Sequence, residues 1–247
     1  SSMENLVQIS VVFLALLVAV CAQFPSNLQK CHYGDSQCII ETTMKILPNY
    51  PDGIPEVGIP SIEPLRYEKL ELKSNTGAVN LQILIRNLEV FGVSKAEIVQ
   101  MDGFTEDPKK IQIHFKVKKI GIFGDYKLRG EFLYFPMTGE GKTNDTLLDF
   151  DYFWNGNVKL VEKDNKKYLK IENYKARFTT SRIYFYFDNL MGDKVLSESA
   201  NDLFNSNWEV FFDVMKPILY KMTGQFVASF ISDSFSKIPY KELFLED

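Results

Sequence analysis

Residues able to make and break bonds are scarce in this chain of 247 residues. Its two histidines are His32, beside Cys31, and His114, flanked by Gln112 and Lys116 in an alternating stretch. No G-x-S-x-G elbow, H-E-x-x-H helix or glycine-rich phosphate loop occurs. A zinc site of His and Cys needs more ligands than two histidines and a disulfide-paired chain provide. His114 therefore reads as a solvated strand residue rather than a base. Asp149 and Asp151 alternate with Leu148, Phe150 and Tyr152, which turns both carboxylates to water together instead of across a substrate. The sequence predicts no enzyme, no metal and no cofactor. What it holds in excess is apolar surface, concentrated near the C-terminus.

Phe204, Trp208, Phe211, Met215, Leu219, Met222, Phe226 and Phe230 follow one another at steps of three or four, the period of a helix. A second line through Phe212, Ile218, Val227, Ile231 and Phe235 widens the apolar face beyond an ordinary amphipathic stripe. Ser206 and Glu209 have the spacing of a capping box, so the helix is expected to start there. Ile238-Pro239 stops it, giving a rod from Ser206 to Lys237 of about 45 Å. Pro217 lies inside it, and unbroken periodicity on both sides predicts a kinked but continuous helix. A helix this apolar must be wrapped.

The element that wraps it is legible as a change of period. From Leu65 to Phe187 apolar residues recur every second position: Val79, Leu81, Ile83 and Ile85; Ile111, Ile113, Phe115 and Val117; Leu128, Phe132 and Tyr134; Leu148, Phe150, Tyr152 and Trp154; Val158 and Leu160; Leu169 and Ile171; Ile183, Phe185 and Phe187. Turn signals at Asn75-Thr76-Gly77, Asp102-Gly103, Gly124-Asp125, Thr138-Gly139, Asn155-Gly156-Asn157 and Asp164-Asn165 divide them into an antiparallel meander. Ahead of it lie a short helix, Gln37 to Leu47, ended by Pro48, and a proline-rich extended segment, Pro51 to Pro64. Behind it a short helix, about Lys194 to Phe204, presents Leu196, Ala200 and Leu203. No linker divides the series, so one domain is expected, with a strongly curved sheet around the long helix.

Composition sets the outer bounds. With 45% hydrophobic and 14% aromatic residues the chain can build a large core. A net charge of -4, from 28 basic and 32 acidic residues without a dominant block, excludes a nucleic-acid footprint. The apolar run Ile9 to Val20, followed by Val20-Cys21-Ala22, reads as a secretory signal over residues 1–22, although Met3-Glu4-Asn5 lacks the usual basic flank and Ser1-Ser2 departs from a native start. The run is too short for a membrane span of about 20 residues. Cleavage after Ala22 leaves Cys31 and Cys38, an even pair that reads as a disulfide in an oxidising compartment. Asn144-Asp145-Thr146 is the one N-x-[ST] sequon, and as such predicts an exposed turn and a glycan at Asn144.

Four segments together resemble the takeout and juvenile hormone binding protein family of insects. They are the Cys31 and Cys38 pair before the first helix, GIPEVGIPSIEPL from Gly53 to Leu65, the Phe204-Asn205-Ser206-Asn207-Trp208 entry to the long helix, and the Ile238-Pro239-Tyr240-Lys241-Glu242-Leu243-Phe244 exit. Lys216-Pro217 matches a Lys-Pro step in the family's helix. The resemblance implies a TULIP-like fold, α+β, in which a highly curved antiparallel sheet rolls around the C-terminal helix over residues 23–247. It also implies a monomer secreted into haemolymph or a similar fluid, without catalysis, carrying a lipophilic molecule in an internal tunnel.

On residue patterns alone, the aromatic and methionine stripe is better explained as a filled core; the resemblance favours a lined channel. The expected lining is Trp208, Phe211, Met215, Leu219, Met222, Phe226 and Phe230 from the helix, with Phe132, Tyr134, Phe150, Tyr152, Phe185 and Phe187 from the sheet. Tyr134, Tyr152 and Tyr184 are the candidate polar contacts. The other reading left open is a secreted signalling protein that acts through a protein partner or receptor.

Overall fold

The computed structural model describes residues 28–76, 79–132 and 135–245. The predicted signal segment and Tyr134 lie outside them. In chain order the elements are helix α1 (Ser36–Asn49), strands β1 (Leu65–Thr76), β2 (Val79–Phe91), β3 (Glu97–Asp102), β4 (Lys110–Phe132), β5 (Phe135–Lys163), β6 (Lys166–Thr179) and β7 (Arg182–Tyr184), then helices α2 (Lys194–Ser206) and α3 (Trp208–Phe235).

All seven strands form one antiparallel sheet in the order β1-β2-β4-β5-β6, with β3 added to β4 and β7 to β5. The length of β5, 29 residues, dictates the shape. Straight, it would run about 95 Å, roughly twice the width of a compact domain of this size. The strand must curl. Gly124-Asp125, Thr138-Gly139 and Asn155-Gly156-Asn157, expected to be turns, lie inside β4 and β5. In a two-sided sheet small and polar residues on the wet face mimic turn composition, while the ladder between β4 and β5 runs on from Lys110↔Asn157 to Phe132↔Phe135. The turn at Asp164-Asn165 is real, both residues taking positive φ.

The curl makes two lobes joined through β4 and β5, each with its own buried cluster. Ile111, Phe150, Tyr152, Trp154 and Phe178 pack with Phe212, Ala228 and Ile231 of α3 in one. Leu72, Leu81, Tyr126, Leu128 and Phe132 pack with Phe204, Phe211 and Met215 in the other. Asp149 interrupts the expected alternation: its φ of 49° puts Leu147, rather than Leu148, into the core.

α3 is continuous over 28 residues, with Pro217 inside it. Val210, Asp213, Pro217, Lys221, Gln225 and Ser229 form an exposed stripe that widens at its ends to Glu209, Ser232 and Asp233, and the other faces are buried or half-buried. Pro217 thus lies where the carbonyl it leaves unpaired can turn to water. The start of the helix differs from expectation. Ser206 is the last residue of α2, and Asn207, the N-cap of α3, makes no side-chain cap. The capping box does not form because α2 runs into α3 with a single residue between them.

α2 also reverses the expected face. Leu196 and Leu203 are 53% and 61% exposed, whereas Ser197, Asn201 and Phe204 are buried. The reason is hydrogen bonding. Asn201 accepts from the Phe187 N–H (2.9 Å) and donates to the Phe187 carbonyl (2.8 Å), and Asn205 does the same to Phe185 at 2.8 and 2.8 Å. Ser197 accepts from the Leu190 N–H at 3.0 Å. Residues 185–190 have one ladder partner, β5, and the polar side of α2 supplies the missing one.

α1 extends through Pro48 to Asn49, beyond the expected stop at Leu47. The disulfide ties Cys31, ahead of α1, to Cys38 in its first turn, and Cys31 is bridged to Phe244, so the first and last family motifs adjoin. The proline-rich segment meets the C-terminal exit as well. Ile54 and Val57 bury against Ile238, and Gly58, at φ +79°, sits where a Cβ would fall 2.3 Å from the Asp233 carbonyl oxygen. Glu63 closes the segment by accepting from the N–H groups of Gly92 (2.6 Å) and Ser94 (2.9 Å). Among the described residues no helix is long and apolar enough to cross a membrane.

Candidate functional site

The space between α3 and the concave side of the sheet is where the predicted lining residues fall. Phe211 and Met215 are buried, with Phe211 4.8 Å from Phe132, 4.9 Å from Phe185 and 4.7 Å from Phe204 between ring centroids. Phe187 joins this group against Tyr126 at 5.1 Å. Phe150 and Tyr152 belong to the other lobe, stacked at 5.7 Å. Leu219 touches both clusters, while Met222, Phe226 and Phe230 remain half-buried. Trp208 lies at the rim, stacked on Phe212 at 6.3 Å and beneath the Arg182 guanidinium. The helix residues and the sheet residues thus share one interior but divide between its two lobes. Tyr184 is 49% exposed and faces outward.

Where α3 crosses from one lobe to the other, the helix and sheet are drawn together at defined points. The Trp154 indole, fully buried, donates to the Gly224 carbonyl at 3.2 Å. Gly224 is required by proximity: a Cβ there would lie 2.9 Å from the Tyr174 ring and 3.0 Å from Ala176 Cβ. Tyr220 donates to the Phe178 carbonyl at 2.9 Å. These bonds fasten α3 to β5 and β6, and on the β1 side Phe226 stacks on Tyr67 at 4.0 Å.

Tyr152 stands between these two sides. It is 1% exposed, and its hydroxyl has no hydrogen-bond partner. Burial pushes the Tyr152 phenol upward, with Tyr174 and Tyr67 adding to the shift. The Thr223 hydroxyl, whose own proton goes to the Leu219 carbonyl at 2.8 Å, is near enough to pull the Tyr152 phenol downward but lies outside hydrogen-bonding geometry. The Tyr67 phenol is itself pushed up to about 12, by burial and then by Asp233. Three phenols and a threonine therefore lie close together between α3 and the sheet, Tyr152 enclosed and Tyr67 and Tyr174 half-buried. The arrangement can donate a neutral hydrogen bond; it cannot supply a nucleophile or a base.

Sequence reasoning named Tyr152 but missed Tyr67 and Tyr174. Tyr67 escaped because two consecutive residues, Glu68 and Lys69, both face water before Leu70 turns in again. This phase slip lies beside Asn87 (φ +50°), where the register of β2 with β4 shifts. The Asn201 and Asn205 pair was also missed, although asparagines four apart in a predicted helix are a readable signal, since asparagine favours local backbone bonding over helix.

The histidine reading needs correction. His114 is bonded to Asp151 at 2.6 Å and stacked on Phe153 at 4.0 Å, so it is a paired residue of the outer face rather than a solvated one. Asp149 bonds Ser181 instead, at 2.6 Å, and the two carboxylates serve separate partners. Among the described residues no three His, Cys, Asp or Glu side chains gather as a metal site requires.

A single antiparallel sheet curled round one long helix, with a phenol cluster buried between them, defines an α+β helix-wrapping protein. Residues 9–245 match the sequence profile of the haemolymph juvenile hormone binding protein (JHBP) family, and the chain belongs to that family. It is 22% identical over 229 residues to the circadian clock-controlled protein daywake of Drosophila melanogaster, covering 90% of this chain and 88% of that one. The crystal structure of Epiphyas postvittana Takeout 1 superposes with a TM-score of 0.69 at 21% identity, over 87% of this chain and 98% of that one. That likeness establishes the fold. A lipopolysaccharide binding protein aligns at 11% identity over 81% of this chain and 39% of its own, with a TM-score of 0.34, too low to bear on the argument.

Proposed function

We propose that this protein is a secreted, non-catalytic carrier that holds a hydrophobic small molecule between α3 and the concave face of the sheet. The observation that carries the reading is the Tyr152 hydroxyl, enclosed and unpartnered between α3 and the sheet. An unsatisfied buried hydroxyl costs about 1–3 kcal/mol, a cost that a ligand acceptor removes. The half-buried Met222, Phe226 and Phe230 beside it offer apolar wall that the protein's own side chains do not fully cover. Family membership supports the same reading, as does the name of the family, which records a hormone carrier of the haemolymph.

The ligand class follows from the energetics. A chain or terpenoid burying about a dozen carbons gains roughly 10 kcal/mol at about 0.8 kcal/mol each, against association and ordering costs of about 4–15 kcal/mol. One neutral hydrogen bond adds about 1 kcal/mol. Length and girth therefore select, and a single acceptor such as an ester, ketone, epoxide or carboxylic acid refines the choice. Organic extraction of protein purified from insect cells should release such a compound, and the protein should displace or take up a fluorescent fatty probe. Recovery of no bound lipid, combined with no probe binding, would sink the proposal. Tyr152→Phe should weaken acceptor-bearing ligands several-fold while leaving a pure hydrocarbon probe unchanged.

A further inference from the structure

The sequon at Asn144 lies in the middle of β5 rather than on a turn, and its surroundings on the outer face are specific. The strand register aligns Arg66 of β1 with Glu89 of β2, Glu89 with Phe123 of β4, and Phe123 with Asn144. On its other side the Asn144 N–H donates to the Tyr186 carbonyl at 2.9 Å, between the paired positions Thr143↔Phe187 and Thr146↔Tyr184. The sequon asparagine is therefore exposed in a row across the sheet, with one aromatic residue immediately on each side. Phe123 is 39% exposed and Tyr186 53% exposed. All five members of the row line one open groove of about 660 Å³.

An antiparallel sheet with one face on the core normally turns polar residues to water on the other. Two exposed aromatic side chains flanking an asparagine break that rule, Phe123 covered only on one side by Phe91 at 5.5 Å, and they do so where an attached sugar would begin. A pyranose presents one face of C–H groups and a rim of hydroxyls. Its C–H face can cover an aromatic ring, and its rim can bond the charged groups at the end of the row, the Arg66–Glu89 pair at 3.0 Å among them.

The geometry points to Asn144 as an N-glycosylation site whose innermost N-acetylglucosamine packs on Phe123 and Tyr186 and occupies the groove over β4 and β2. The bond formed joins the Asn144 amide nitrogen to the sugar's anomeric carbon, with a lipid-linked diphosphate oligosaccharide as donor and the lipid diphosphate as leaving group. Attachment occurs as the chain enters the secretory route, so the inference rests on the proposed secretion. The groove then serves as a seat for the protein's own glycan.

The test expresses the full chain in insect cells twice, once with its own N-terminal segment and once behind a heterologous secretion leader. Peptide mass analysis after enzymatic glycan release in heavy-oxygen water should convert Asn144 to labelled Asp, and Asn144→Gln and Thr146→Ala should abolish the label. A glycan seen only with the heterologous leader would overturn secretion while keeping the site. Secreted protein without a label in either case would overturn the site. For the seat, trimming to one N-acetylglucosamine should leave the melting temperature unchanged, and Asn144→Gln should lower it by several degrees. In a Phe123→Ser, Tyr186→Ser background the same Asn144→Gln change should shift it by less than half as much. An equal shift in both backgrounds would overturn the packing of the sugar on the two rings.

Discussion

Asp145, the central residue of the sequon, is half-buried and turns its carboxylate to the Tyr186 N–H (3.1 Å) and the Thr143 hydroxyl (2.9 Å). Burial raises its pKa to about 7, with those two hydrogen bonds pulling the other way. A carboxyl whose folded pKa lies above its unfolded value of about 3.9 is bound to its proton preferentially by the folded state. Its stabilising contribution is therefore complete below about pH 4 and declines as pH rises through about 7. Asn at this position keeps the Tyr186 N–H on its oxygen and can donate its NH2 to the Thr143 hydroxyl oxygen, without the charge. Asp145→Asn should flatten the fall in stability between about pH 4 and 7 and raise the neutral-pH melting temperature, by several degrees for ~1–2 kcal/mol; thermal melts of both proteins across that range decide it. Gly224 tests the other sensitive point. Alanine there gains helix propensity of about 1 kcal/mol but drives its Cβ into the Tyr174 ring and Ala176. The expected net effect is a loss of about 1–2 kcal/mol by denaturant titration, with tryptophan fluorescence reporting a displaced Trp154. Neither residue announces itself in the sequence: Asp145 looks like filler in a sequon and Gly224 like a weak spot in a helix. Each depends on what a distant strand brings against it.

At the level of elements, α2 inverts the ordinary rule for an amphipathic helix. Its asparagines hold residues 185–187 by paired amide bonds, and its leucines face water. Leu203→Lys should leave stability within about 0.5 kcal/mol, whereas Asn201→Ala should cost about 2 kcal/mol or more by leaving the Phe187 N–H and carbonyl unpaired. Equal costs for the two substitutions in urea melts would refute this account. The helix itself was legible, as were α3 and its continuity through Pro217, because a period sustained over many turns survives local exceptions. The boundaries failed for nameable reasons: Ser206 ends one helix instead of capping the next, and the polar dipeptides inside β4 and β5 belong to a wet face rather than to turns. Periodicity picked out residues that turn to the interior, such as Phe211, Met215 and Phe150, and Tyr67 escaped it because it lies beside a phase slip of its strand.

Across the whole molecule, three of the four family segments assemble into two contacts, Cys31 with Phe244 and the segment from Ile54 to Val57 with Ile238, while the fourth, Phe204 to Trp208, joins α2 to α3. Their joint presence was the most informative feature of the sequence, since each segment alone is weak and the order of all four matches one architecture. The short disulfide loop is expected to contribute modestly: Cys31→Ser with Cys38→Ser should cost about 2 kcal/mol by chain entropy, read as a lower melting temperature with ligand binding intact. Loss of probe binding at a temperature where the double variant is still folded would show instead that the loop shapes the interior.

The bridge between Cys31 and Phe244 also says something about birth order. Strands β1 to β7 leave the ribosome before α3, so their concave, apolar faces must wait for the helix that fills them, and the first described segment must wait for nearly the last. The nascent sheet is for that interval a hydrophobic surface without an occupant. A permuted chain that joins residue 245 to residue 28 and opens at the Asp164-Asn165 turn would deliver α3 ahead of β1 to β5. It should reach the native state with the same stability and less aggregation during refolding, measured by light scattering on dilution from denaturant.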